Sequence, residues 1–244
     1  MKLHITYLLG TILIFALTAT PGSAQDPDKY GPILFMVIDK EYEKALNKAE
    51  KYTNRKKTRR HPEPYLLMSM AYYEISKDES MREEYPRAFR DAIKYAYKGA
   101  RYDKENEYVP DYQQYITELK VDIMKEARFY YDEGTWRKSV THAKYVTRID
   151  PEDLSATLLK GVAEIRSRNE YQAEKTFEEA NKIAESSSAS SFNSEELPFL
   201  RFGIMEYAQV MKERGEKEKA KPMLALGEKT FEEDTEFQNF LASF

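Results

Sequence analysis

Cysteine is absent from all 244 residues, which removes disulfides, thiolate metal ligation and a cysteine nucleophile together. It also removes lipid attachment of the kind bacterial lipoproteins carry on the cysteine after the signal segment, a place held here by Gln25. No Asn-x-Ser/Thr sequon occurs. Histidine numbers three. Beyond the N-terminal segment only His61 and His142 remain, and neither stands at a metal-ligand spacing or in a recognised nucleophile–base pattern. The nine glycines form no phosphate-cradling loop. Acidic doublets such as Glu178-Glu179 and Glu232-Glu233 read as solvated helix faces. These absences announce no catalytic apparatus, no cofactor and no metal, so the expectation is a protein that is not an enzyme.

Long apolar runs are confined to the N-terminus, where Lys2 precedes an apolar core from Ile5 to Ala19 and a Pro21-Gly22-Ser23-Ala24 ending. The core is about 15 residues long, short of the roughly 20 that a spanning helix needs. The layout predicts a signal peptide over residues 1–24, cleaved after Ala24, with an uncleaved anchor as the alternative. The remaining 220 residues carry 37 basic and 42 acidic side chains, a net charge of −5, which argues against nucleic acid as a partner. An exported chain of this size without disulfides or glycan sites points to the periplasm or outer membrane of a diderm bacterium.

What the chain does have is a period. Ser139, Ala143 and Val146 recur 34 residues later as Ala173, Phe177 and Ala180, and Ala127 recurs as Gly161. Small residues at such places let two helices approach, while larger ones fill the adjoining gap. The first unit also holds Tyr130, Gly134, Trp136 and Asp150-Pro151; in the second, Arg168 stands where the turn glycine is expected and Tyr171 falls one place late. These residues resemble the tetratricopeptide repeat family. The resemblance implies an all-α fold, an α-solenoid of antiparallel helix pairs with about nine or ten helices. Its units are a half repeat at 31–53, repeats at about 62–103, 120–153, 154–187 and 201–234, and a C-terminal capping helix at 235–244. Two of the repeats carry insertions, of about 11 residues around Ser76 to Pro86, where a lengthened helix is expected, and of about 13 before the last repeat. Ser186 to Ser191 reads as a flexible linker, and Pro222 is placed in the first turn of the last second helix.

In this family the first helix of each unit lines a concave face. By position, the resemblance implies a partner groove formed by Leu66, Met70 and Tyr73; Met124, Arg128 and Tyr131; Leu158, Val162 and Ile165; and Met205, Gln209 and Lys212. A groove so rich in apolar side chains suits an amphipathic helix or an extended segment with hydrophobic anchors. The alternative is that the chain fills the groove itself, with its tail from Thr235 to Phe244 or with the segment near Tyr30. Arg55, Lys56, Lys57, Arg59 and Arg60 form a basic patch, read either as a solvated loop or as a contact for lipid headgroups or an acidic partner. The 19 tyrosines and 12 phenylalanines are expected mainly between helices, Tyr130, Tyr145 and Phe177 among them. The functional expectation is therefore a protein- or peptide-binding scaffold of the cell envelope, of open oligomeric state. A carbohydrate- or peptidoglycan-associated module using exposed aromatics is the second reading.

Overall fold

Four times along the chain, two helices are joined by three residues whose middle member has a left-handed backbone. The middle residues are Lys40 (φ 62°), Gly134 (φ 69°), Arg168 (φ 64°) and Gly215 (φ 74°). Each link closes with the same two bonds: Thr135 N–H reaches the Tyr130 carbonyl while Gly134 N–H reaches Tyr131, and Asn169 and Arg168 repeat this on Glu164 and Ile165. Glu41 and Lys40 do so on Met36 and Val37, and Glu216 and Gly215 on Met211 and Lys212. This is the Schellman arrangement, which satisfies the last carbonyls of one helix and turns the chain into the next.

A computed structural model describes residues 29–244, so the expected signal peptide at 1–24 lies outside the described residues. Among the described residues the fold is all-α with no strand, and the helices number eleven, not nine or ten. They are α1 (Gly31–Ile38), α2 (Tyr42–Thr53), α3 (Pro62–Lys77), α4 (Ala88–Tyr102), α5 (Gln113–Asp132), α6 (Trp136–Ile149), α7 (Leu154–Arg166), α8 (Glu170–Ser186), α9 (Leu197–Glu213), α10 (Lys217–Thr230) and α11 (Thr235–Ser243). Each packs against its neighbours in sequence or the next but one, an arrangement compatible with a helical solenoid. The higher count arises at the start, where the segment expected as a half repeat holds two helices.

The two kinds of helix bury different amounts of themselves. The even-numbered helices α2 to α10 hide one narrow stripe at helical spacing: Ser139, Ala143, Val146 and Ile149 in α6, and Ala173, Thr176, Phe177 and Ala180 in α8. Their other faces are polar, as expected for an amphipathic outer helix. Of the odd-numbered helices, α3, α5, α7 and α9 are covered on several sides, while α1 and α11 at the two ends bury little. In α7, ten of thirteen residues are buried, from Leu154 to Glu164. The core is therefore a layer built around α3, α5, α7 and α9, sheathed by the even-numbered helices.

The insertions are shared between connections and helices: α3 runs to 16 residues beside the first and α8 and α9 to 17 each around the second, against 14 in α6 and 13 in α7, and the rest lies in the links. After Lys77 the chain makes a single 3-10 turn, Glu79–Met81, capped by Asp78, whose carboxylate accepts the Ser80 N–H at 2.9 Å. The connection from α4 to α5 is organised by Asp103, whose carboxylate accepts the N–H groups of Glu107, Tyr108 and Val109 at 2.7–2.9 Å. The serine-rich stretch is bonded to its own backbone: Ser187 Oγ donates to Ile183 O and Ser191 Oγ to Ser188 O. Because α10 begins at Lys217, Pro222 falls inside the helix, past its first turn. The links into α7 and α11 match, each of four residues ending in an aspartate whose carboxylate caps the helix: Asp153 accepts from Ala156 and Asp234 from Phe237. On this evidence α11 begins as the first helix of a further unit would, and Phe237, fully buried against Gly227, covers the open end of α10.

Candidate functional site

The twelve positions of the expected groove divide into two groups. Leu66, Tyr73, Met124, Tyr131, Leu158 and Val162 are buried. Met70, Arg128, Ile165, Met205 and Gln209 are partly exposed, and Lys212 is exposed. The reading of the first group as an open groove is corrected by what packs on them. Gly203 of α9 sits against Leu158, so close that a Cβ there would stand 3.0 Å from the Leu158 Cβ, and Leu158 and Val162 have no exposed surface. On α3, Gly99 of α4 lies directly against Leu66. The Tyr73 hydroxyl donates to Asp122 of α5 at 2.7 Å, while its ring meets Tyr115 edge-on at 5.6 Å.

Above α7 the side chains of α5 and α9 meet directly. The Arg128 guanidinium lies 3.3 Å from the centre of the Phe202 ring and pairs with Asp132 at 2.8 Å. Tyr131 packs edge-on against Phe202 at 5.4 Å and donates to Glu206 at 2.5 Å. Burial and the Glu206 carboxylate hold the Tyr131 hydroxyl well above the ordinary tyrosine range. Arg166 of α7 forks onto Glu213 of α9 at 2.7 and 3.1 Å. At the opposite end of the same helices, Lys120 of α5 is surrounded by Asp150 at 2.7 Å, Asp153 at 2.9 Å and Glu196 at 2.7 Å. Burial alone would lower the Lys120 pKa, but Asp153, Asp150 and Glu196 together raise it well above the usual lysine value. The Glu196 carboxyl is itself pushed up by burial. α5 and α9 are thus pinned together at both ends across α7.

The chain's own tail reaches this face at one corner. Lys212 lies 5.5 Å from the Phe244 ring and Lys217 donates to the Phe244 backbone oxygen at 2.8 Å. Of the expected groove positions on α3, α7 and α9, Met70, Ile165, Met205 and Gln209 keep partial exposure.

The basic patch is ordered and open. Arg55, Lys56, Lys57, Arg59 and Arg60 are all exposed, and the segment is wound by Arg59 N–H donating to Arg55 O at 2.8 Å and Thr58 Oγ1 to Tyr52 O at 2.6 Å. Among the described residues none of the five basic side chains makes an ion pair within 4 Å.

Both described histidines lie among tyrosines, His61 with its Nε2 3.2 Å from the Tyr108 hydroxyl. His142 bonds Glu126 at 2.9 Å and the Lys138 carbonyl at 2.8 Å; burial opposes its charge, but these two acceptors outweigh it and raise its pKa. It lies between Tyr130 and Tyr145, ring centres 4.9 and 5.7 Å away, and both tyrosines are half-buried while Phe177 is buried. Among the described residues the large apolar side chains left in solvent are Phe35, Ile38, Phe129, Trp136 and Tyr171. Trp136 borders a cleft of about 340 Å³ with Arg137, Arg166 and Arg168, at the edge where two Schellman turns lie side by side. Sequence reasoning passed over this edge and the Lys120 cluster; the acidic pair Asp150 and Asp153 flanking Pro151 was the available signal for the latter.

Among the described residues no group of three or more histidines and carboxylates is arranged to hold a metal ion, and no helix is long and apolar enough to cross a membrane. No family model and no curated protein matches the chain.

Proposed function

We propose that this chain is a non-catalytic scaffold of tetratricopeptide-like hairpins that holds a protein or peptide of the bacterial cell envelope against the accessible part of its odd-numbered helices. The observation that carries this reading is the fourfold recurrence of one hairpin geometry, at Lys40, Gly134, Arg168 and Gly215. A repeat of this kind stacks helices into an extended surface and brings no reactive centre with it. The partner surface runs over Met70, Ile165 and Met205, with Gln209 and Lys212 at its polar end. Met and Ile at these places suit hydrophobic anchors of a helix or extended segment.

Export rests on the Lys2, Ile5–Ala19 and Ala24 pattern alone. Site-specific photo-crosslinking in envelope preparations tests the surface. Crosslinkers at 70, 165 and 205 are expected to capture one common protein, and a crosslinker at 171 on α8, whose tyrosine is 73% exposed, to capture none of it. Equal capture from 171 would refute the assignment of the face. The carbohydrate reading is favoured by one specific feature, the Trp136 cleft. Retention of the chain on insoluble glycan, lost in Trp136→Ala, would select it over the scaffold.

A further inference from the structure

The first hairpin concentrates charge of one sign. Residues 40–60 hold nine basic and three acidic side chains in a chain whose net charge is −4. Lys44, Lys48, Lys51 and Arg55 follow one another at helical spacing along α2 and its end, and with Met36 of α1 they line one open cleft of about 470 Å³. Of the acidic groups at this end, Glu41 pairs with Lys44 at 2.7 Å, Glu43 accepts from Tyr85 at 3.3 Å, and Asp39 and Glu50 lie exposed, a minority beside nine basic side chains. Lys48, Lys51, Lys56, Lys57, Arg59 and Arg60 make no ion pair among the described residues. On the side of α1 away from Ile33 and Val37, which face the core, Phe35 and Ile38 are 63% and 62% exposed.

We infer that this end of the molecule, α1, α2 and the segment 54–60, docks on an anionic phospholipid surface, with Phe35 and Ile38 entering the headgroup boundary and the lysines and arginines facing lipid phosphates. The observations select this occupant over others. Exposed apolar side chains beside a broad cationic face are the combination that interfacial helices use, in which apolar insertion and attraction to anionic headgroups add. A second copy presenting the same face would bring two strongly positive surfaces together. The side chains are spread along an open face instead of converging on a pocket that would grip one acidic peptide. The chain also enters α1 from the segment that contains the apolar run Ile5–Ala19, so a leader held in the bilayer before cleavage would deliver this end to the membrane.

Flotation of the full chain with vesicles tests the inference. The vesicles are phosphatidylcholine alone, or three parts phosphatidylcholine to one part phosphatidylglycerol. Wild type is expected to float with the anionic vesicles at low salt, weakly with the neutral ones, and to be released by salt. Each basic residue near an anionic surface strengthens partitioning roughly fivefold. Lys48→Glu/Lys51→Glu/Lys56→Glu/Lys57→Glu should therefore weaken it on the order of a hundredfold or more. Phe35→Ser/Ile38→Ser should weaken it about tenfold at unchanged charge. Unchanged helicity and melting temperature confirm that both variants stay folded.

Equal binding to both vesicle types, or binding that the charge-reversed variant retains, would overturn the inference and assign membrane affinity to the apolar run. The same variant releasing an acidic protein while vesicle binding persists would overturn it too, as would loss of self-association with vesicle binding unaltered. Crosslinking from 70, 165 and 205 in the charge-reversed variant reports separately on the scaffold reading.

Discussion

Gly161 of α7 lies against the ring of Phe177 of α8, so that a Cβ added to the glycine would collide with two ring atoms and press tightly on a third. One unit earlier the matched positions are Ala127 and Ala143, both without exposed surface. The two units reach the same helix spacing by different divisions of volume, small with small in one and smallest with aromatic in the other. Gly161→Ala is therefore expected to destabilise the fold by about 1–3 kcal/mol through overpacking, despite its better helix propensity. In a Phe177→Ala background, which recreates the Ala–Ala pair, the same substitution should cost little or gain stability. Urea denaturation of the four members of the cycle measures this coupling. Additive effects would show that ring and glycine do not share the space.

Arg168 holds a left-handed backbone at φ 64° where Gly134 does the same work at φ 69°. A side chain in that region costs about 1 kcal/mol relative to glycine, and Arg168 is exposed with no ion pair within 4 Å among the described residues. Arg168→Gly is expected to raise stability by about that amount, less the backbone entropy glycine adds to the unfolded chain. Gly134→Arg should lose a similar amount. Thermal melts of the two variants check the pair, and a destabilised Arg168→Gly would refute strain at this turn.

These two relationships show what could be read before the structure. The even-numbered helices were legible because each buries a single stripe, so Ser139, Ala143 and Val146 announce one face by spacing alone. The turns at Gly134 and Gly215 were legible through glycine, whereas Lys40 and Arg168 adopt the same geometry only because the flanking helices impose it. The buried half of the expected groove was not legible. Spacing places Leu158 and Val162 on a helix face, but what covers that face is α9, brought there by the ten-residue connection 187–196 and admitted by Gly203. Nothing in the local pattern of α7 distinguishes a surface awaiting a partner from one covered by its own chain. A double substitution of Leu158 and Met124 would thus unfold the layer and say nothing about binding.

Glu164 is buried between α7 and α8, its carboxylate accepting the Thr176 hydroxyl at 2.7 Å. Burial raises its pKa above the usual glutamate value; the Thr176 bond and the charges of Lys160 and Lys144 only partly offset this. The folded state thus holds the proton more tightly than the unfolded chain, so stability falls as pH rises from the unfolded pKa to the folded one. Glu164→Gln keeps an acceptor for Thr176 and removes the buried charge. Its advantage over wild type should be near zero at pH 4, grow as pH rises, and level off on the order of 1 kcal/mol at neutral pH. Chemical denaturation at several pH values reads the difference, and an advantage that shrinks with rising pH would reverse the assignment.

Lys120 is the cation on which three carboxylates from two connections converge: Asp150 and Asp153 from the link between α6 and α7, and Glu196 from the one before α9. Its side chain is 4% exposed, so removing it leaves buried negative charge with no counterion, a loss of about 3–5 kcal/mol. Lys120→Met preserves most of the apolar stem and so isolates the charge. The variant's carboxylates, Glu196 first because burial already raises it, should take up protons in the folded state above their unfolded values. The penalty of Lys120→Met should accordingly shrink as pH falls toward 4 and be largest above pH 7. Because Glu196 leads directly into α9, amide exchange should accelerate in α9 and at the start of α7 before it does in α3. A penalty independent of pH would mean that packing of the stem, not charge, is what Lys120 supplies.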